Sequence, residues 1–404
     1  MTEVLIERLG HQGDGIAPGP IFAQRTLPGE RIEGVLEGTR IAAPRILTPS
    51  PNRVRPPCPH YKSCGGCALQ HASDEFVANW KIDVVHAALA AQDMDANIAG
   101  IETSLPRSRR RAVLSARRTK GGVLIGFHAP KSEAITAIPS CELLHPDLLA
   151  AFPDLEALVA AGGSRKGTLR LTVALSRTGL DVAVTGGKPL DVGLETELAA
   201  LAGARGFARL SWEGELVAQI APPVQQFGRA AVAQPPGAFL QATAEGEAAL
   251  LREVRRGVEG AARVVDLFAG SGTFSLPLAE EAEVHAVEGE AEMLAALDHG
   301  WRMAQGLKRV TTEPRDLFRR PLMPDELKRF DAIVIDPPRA GAEAQMAEIA
   351  RAEVPRLSAV SCNPVSFARD ARILIESGFA LERLVVVDQF RWSTHIELAA
   401  QFHR

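Results

Sequence analysis

Residues 264–274, Val-Val-Asp-Leu-Phe-Ala-Gly-Ser-Gly-Thr-Phe, carry an apolar strand straight into a glycine-rich turn and then into helix-forming sequence. A strand that ends this way leaves few architectures open, because the helix must return over the sheet to bury its apolar side. From about residue 240 the same order recurs: helix, apolar strand, turn, helix. That is the pattern of a doubly wound α/β domain. In such sheets ligands sit outside the carboxyl ends of the strands, and glycines remove side chains that would keep a ligand away. The turn around Gly270 and Gly272 is therefore expected to face a ligand.

The rest of the 404-residue chain divides differently. Residues 1–50 read as short strands broken by glycine and proline, and predict a small N-terminal β-barrel. Residues 51–225 predict a central α+β domain. Its alternating segments are Val113–Leu124 and Thr168–Val184, and its helical interludes lie near residues 75–91 and 147–160. Residues 226–404 form the Rossmann-like domain. The fold class is thus α/β at the carboxyl end, with two smaller units before it. No run of about 18 apolar residues is present and the amino end lacks an apolar signal segment, so a cytoplasmic protein without membrane contact, a monomer, is expected.

A net charge of -4 excludes a protein that coats nucleic acid by bulk attraction. Any such contact must be local. The densest basic stretch runs from Arg107 to Lys120, where basic residues are interrupted by apolar ones; it suits either a phosphate track or a solvated strand face.

The five cysteines are Cys58, Cys64, Cys67, Cys141 and Cys362. An odd number in a reducing compartment argues against disulfides. Cys58, Cys64 and Cys67 follow a Cys-x5-Cys-x2-Cys spacing with two glycines inside it, and Cys141 supplies a distant fourth thiol. Four thiolates hold either tetrahedral zinc or an iron-sulfur cluster. Three clustered cysteines with one remote partner favour iron-sulfur over the paired hairpins usual for zinc, and buried thiols without metal are the bland alternative. Every iron would then carry a cysteine, which makes the cluster structural.

At the glycine turn, Asp-Leu-Phe-x-Gly-x-Gly lacks the third glycine of a pyrophosphate cradle and suits a nucleoside carrying an amino acid, as in S-adenosylmethionine. Glu288, at the end of the next strand, is placed to accept the ribose hydroxyls. Asp316 follows a third strand and serves either the adenine amine or a helix N-cap. Asp336 ends the strand 332–335 and opens Asp336-Pro337-Pro338-Arg339, whose prolines fix the loop. Loops of this kind that methylate exocyclic amines carry an aromatic where Arg339 stands, which disfavours that chemistry.

Cys362 follows a further predicted strand, in Ser361-Cys362-Asn363-Pro364, and so belongs at the same sheet edge. A thiolate there suits uracil. Carbon 5 of uracil is a weak nucleophile until a thiolate adds to carbon 6, after which it can take a methyl group. A base must then remove the carbon 5 proton so that the thiolate leaves. Glu397, in Thr394-His395-Ile396-Glu397, is the candidate base, with His395 as the alternative.

These segments, together with Phe239-Leu240-Gln241, resemble the RNA uracil-5-methyltransferases, in particular the iron-sulfur branch acting on 23S ribosomal RNA. The resemblance spans nearly the whole chain. It implies S-adenosylmethionine contacts at Gln241, Phe268, Thr273, Glu288, Asp316 and Asp336, and a 4Fe-4S cluster on Cys58, Cys64, Cys67 and Cys141. It implies Cys362 as nucleophile, Glu397 as base, and an RNA-binding, TRAM-like barrel at the amino end. Transfer RNA is the alternative substrate, and a non-catalytic RNA-binding ribosome-assembly factor the alternative role.

Overall fold

A computed structural model describes residues 1–404. Its largest sheet has eight strands, in the order 310–314, 283–288, 263–267, 332–335, 356–361, 397–403, 380–388 and 98–103. The first five run parallel, and Glu397–His403 is inserted antiparallel between Arg356–Ser361 and Ala380–Asp388. Alternate side chains of the central strands enter different cores. Val265, Leu267, Ile333, Ile335 and Ala359 face one helical layer, whereas Val264, Val334 and Val360 face the other. Both faces of these strands are covered, which is why their sequences read as continuous apolar runs and not as alternation. Strand Arg263–Leu267 sits between strands 283–288 and 332–335, so the chain order reverses beside it and a crevice opens at its carboxyl end.

The central region forms a seven-stranded sheet of residues 111–219 with strand Ile135–Ala137 at one edge. Helices Pro146–Ala150, Phe152–Gly162 and Val192–Ala204 bury Leu148, Leu155 and Leu198 against it. Helix Asp74–Ala90 falls where its pattern placed it and begins on Ser73, whose hydroxyl accepts from the Phe76 amide. The expected boundary near residue 225 does not divide the tertiary contacts. Val85 and Leu89 of helix Asp74–Ala90 enter the core of the large sheet, and Ile98–Thr103 pairs parallel with Ala380–Asp388 as that sheet's outermost strand. Closure of residues 1–50 into one barrel is not seen either. Their strands fall into a three-stranded and a five-stranded sheet that share a small core of Ile6, Ala17, Ala23, Ile32 and Ile41. No helix is long and apolar enough to cross a membrane.

Candidate active site at the carboxyl edge of the sheet

Strand register brings the two candidate catalytic residues together. Ser361 pairs with Leu398 across the antiparallel ladder, so the next step of the same register sets Cys362 opposite Glu397. Asp336 follows Ile335, which lies beside Ala359 on the neighbouring strand, and the Gly270 turn follows Leu267 one strand further. Four chain segments, separated by up to about 130 residues, therefore meet at one edge.

The turn is shaped to receive a ligand. Phe268 adopts a left-handed backbone (φ 62°), a conformation costly for an aromatic residue and held here by its surroundings. Its ring leans on that of Phe318, with centroids 5.4 Å apart. Gly270 (φ 55°) has open space where a side chain would stand, whereas a Cβ on Gly272 (φ 95°) would strike Leu276 and Leu297 at 2.9 Å. One glycine is open toward the cleft; the other lets the following helix pack. Thr273 completes the turn before helix Ser275–Leu278. Glu288 is fixed by backbone amides: Gly270 donates to its Oε2 (3.0 Å), and Gly289 and Glu290 to its Oε1 (2.6 and 3.1 Å). Beneath them the fully buried Asp266 accepts from Ser275 Oγ at 2.5 Å, while its Oδ1 has no partner. Burial pushes Asp266 up to about 7, with the charges of Asp336 and Glu288 acting in the same direction. Asp316 accepts the amides of Phe318 and Arg319 on its Oδ1 and so caps a turn.

Gln241 is buried beside the large sheet, where its Oε1 accepts from Gln389 Nε2 (2.7 Å). Gln389 in turn accepts the Ala242 amide and lies beside Glu397, where it opposes the rise of that carboxyl. Glu397 is only 6% exposed. Burial first, and the carboxylate of Asp336 second, raise it to about 8, opposed by the nearby Arg339 and Lys81. Burial likewise carries Cys362 up to about 11, with Glu397 and Asp336 adding to the rise and Arg339 opposing it. Arg339 is held over the site because its carbonyl accepts from Asn363 Nδ2 (2.9 Å) and Ser366 Oγ (3.0 Å). His395, the alternative base, is exposed and leans on Phe390 with ring centroids 5.2 Å apart, lining a separate cleft. Arg339, Gln389, Asp266 and Lys81 were not singled out by sequence as site residues. Two of them lie inside motifs: Asp266 opens Asp-Leu-Phe-x-Gly-x-Gly, and Arg339 belongs to the proline loop.

That second cleft runs between the N-terminal sheets, the cysteine segment and the large sheet, and includes Arg25, Lys131, Arg109, Phe127, Phe390 and His395. The basic stretch contributes unevenly. Arg107 and Arg110 pair with Glu142 and Glu247, whereas Arg109 and Arg111 lie over the rings of Phe390 and Phe239. Cys58, Cys64, Cys67 and Cys141 all line one further cavity, with Tyr61 and Phe127. Gly66 and Leu143 amides donate to the sulfurs of Cys64 and Cys141, each at 3.4 Å. Burial raises Cys64, Cys67 (to about 12) and Cys141, so these thiols do not ionise together without a compensating cation. No three of the chain's histidine, cysteine or acidic side chains converge on one point tightly enough to share a single ion.

A methyltransferase family model, tRNA (uracil-5-)-methyltransferase, matches residues 302–404, the segment holding Asp336, Cys362 and Glu397. An RNA methyltransferase of Brucella suis is 44% identical, covering 98% of this chain and 97% of its own. The 23S rRNA (uracil(1939)-C(5))-methyltransferase RlmD of Shewanella amazonensis is 34% identical over 98% of this chain and 94% of its own. The tRNA (uracil-54, C5)-methyltransferase of Pyrococcus abyssi, solved with S-adenosyl-L-homocysteine, shares the fold across 99% of both chains with a TM-score of 0.78 at 21% identity. Fold and relatives define an enzyme of the RNA methyltransferase class. The chain belongs to the RNA uracil-5-methyltransferase family.

Proposed function

We propose that the protein methylates carbon 5 of a uridine in 23S ribosomal RNA through a covalent bond between Cys362 and carbon 6 of the base. The observation that carries this is the opposition of Cys362 and Glu397 on adjacent antiparallel strands, at one sheet edge with Asp336 and the turn whose Gly270 has open space where a side chain would stand. S-adenosylmethionine supplies an electrophilic methyl group. Glu288 would hold its ribose, Phe268 with Thr273, Gly270 and Gly272 its flank, and Gln241, Asp336 and Asp316 its remaining polar groups.

The Cys362 thiol gives up its proton to solvent and its Sγ adds to carbon 6; the electron pair of the 5,6 double bond is delivered to carbon 5, which takes the methyl as the methyl's bond to the donor's sulfonium sulfur breaks. Glu397 removes the proton from carbon 5, the double bond reforms, and the sulfur leaves with the electrons it brought. Arg339 stabilises negative charge as the thiolate forms, opposing the two carboxyls beside it. The cleft lined by Arg25, Lys131 and Arg109 gives the RNA backbone a route from the N-terminal sheets, which serve as an RNA-binding unit, to the sheet edge. Incubation with labelled methyl donor and separate ribosomal and transfer RNA pools is expected to give 5-methyluridine in 23S RNA at one position. Label only in transfer RNA would select the second reading, which the family model over residues 302–404 favours; no label in either pool would refute both.

The four cysteines are proposed to hold a 4Fe-4S cluster. Their residues fit. A single tetrahedral zinc with bonds near 2.3 Å draws its sulfurs to within about 4 Å of one another. A polynuclear cluster gives each thiolate its own iron, so the sulfurs can ring a cavity as they do here. Anaerobically purified protein should be brown and contain about four irons per chain; stoichiometric zinc would contradict the assignment.

Asp336 offers a stability test. Its folded pKa, raised by burial to about 7, lies above its unfolded value near 3.8, so the folded state binds the extra proton between those limits. Stability contributed by that proton is complete below about 4 and lost as the pH climbs to 7. Asp336→Asn should therefore melt higher than the parent at pH 8, by on the order of a few degrees, and lose that advantage at pH 4. Equal melting differences at both pH values would count against it.

A further inference from the structure

The side chain of Lys81 is entirely buried, an uncommon state for a lysine, and it lies outside every motif used above. It belongs to helix Asp74–Ala90, and its ammonium crosses to the C-terminal chain. There it donates to Asp388 Oδ1 (2.6 Å), to the His395 carbonyl (2.9 Å) and, at the limit of reach, to the Phe390 carbonyl (3.4 Å). These acceptors bracket the loop 389–396 that connects the last two strands and delivers Glu397. Burial alone would discharge the lysine, and the Asp388 carboxylate opposes that.

Other contacts to the loop come from the same stretch of chain. Trp392 sits in a left-handed backbone conformation (φ 59°), and its carbonyl accepts the amides of Ala68 (2.8 Å) and Leu69 (2.9 Å). Asp74 accepts from Trp392 Nε1 at 3.1 Å and binds Arg391 as well. Such a strained backbone persists only where its surroundings over-determine it. The Asp74–Arg391 pair is partly exposed, whereas Lys81 is a fully buried charged tether that spans both ends of the loop: Asp388, which precedes Gln389, and His395, two residues before Glu397.

We propose that Lys81 is a positioning residue for proton abstraction: it fixes the loop so that Gln389 and Glu397 stand in register with Cys362. Lys81 touches neither RNA nor cofactor. The proposal rests on the reading of Cys362 as nucleophile and Glu397 as base. Loosening the loop should leave addition and methyl transfer largely intact, because the groups serving those steps stand on other strands. It should slow the release step, in which carbon 5 loses its proton to Glu397 and the sulfur departs.

The test uses full-length Lys81→Met, Lys81→Arg and the double variant Lys81→Met with Asp388→Asn, which leaves no buried charge unpaired if Lys81→Met alone fails to fold. Each is incubated with S-adenosylmethionine and RNA containing ordinary uridine, then resolved under denaturing conditions. Lys81→Met, or the double variant in its place, is expected to turn over about 10²-fold more slowly. Methylated RNA should accumulate covalently on the protein, with KM for S-adenosylmethionine within about threefold of the parent. Lys81→Arg, which keeps charge and donors, should recover part of the rate. Parent-like turnover in the folded variant overturns the proposal. So does a loss of turnover without covalent RNA, which would mark Lys81 as merely structural. Parent protein is tested in parallel on RNA carrying 5-fluorouridine; if it traps no adduct, the thiolate reading itself fails and the Lys81 proposal falls with it.

Discussion

Cys362→Ala protein is expected to lose RNA methylation by at least about 10⁴-fold while still folding and still binding S-adenosylmethionine. The side chain is small and only partly buried at a strand end, so truncating it removes little apolar contact. Its loss removes the sole route by which carbon 5 becomes nucleophilic in this site. No other cysteine can substitute, since the remaining four line a different cavity. Turnover measured with labelled methyl donor, alongside the melting temperature, checks this; methylation by the alanine variant within tenfold of the parent would mean that the chemistry proceeds without a thiolate adduct.

Glu397→Gln carries the second large effect. Glutamine keeps the size of the side chain but cannot take the proton from carbon 5, so turnover should fall by about 10²- to 10⁴-fold. Methyl transfer itself should survive, and the variant should hold methylated RNA in covalent linkage. The parent enzyme's pH dependence follows from the same residue. Its carboxyl is raised to about 8 by burial and by Asp336, so most of it carries a proton at pH 7 and cannot act as a base. Turnover should therefore increase from pH 6 through 8 as the carboxyl ionises. A Glu397→Gln enzyme with parent-like turnover, or a parent profile flat from pH 6 to 9, would remove Glu397 from the mechanism.

The sequence reveals those parts of the site that a short stretch of chain defines. The strand running into Asp266–Thr273, the carboxylate ending the next strand, and Cys362 after another strand each sit where local pattern meets sheet topology, because every parallel strand delivers its last residue to the same edge. What pairs those segments is tertiary and was hidden. Lys81 and Asp388 are 307 positions apart, and a lone lysine in a helix of mixed polarity reads as solvent-facing. Gln389 lies in a loop with no motif, yet it hydrogen-bonds Gln241 and the Ala242 amide across nearly 150 positions. Ile98–Thr103 joins a strand nearly 300 residues downstream in a parallel pair, a partnership that no local periodicity encodes. Asp316 is legible at both levels: its Oδ1 takes turn amides, as a cap does, which leaves Oδ2 for the ligand contact its position suggests.

The most direct test is a covalent trap. RNA carrying 5-fluorouridine is incubated with the protein and S-adenosylmethionine, the complex is digested, and the modified peptide is sequenced by mass spectrometry. Fluorine at carbon 5 cannot be abstracted as a proton, so the enzyme should stall with the methylated nucleotide bonded through carbon 6 to Cys362. A nucleotide attached to any other residue, or methylated RNA released without attachment, would contradict the account.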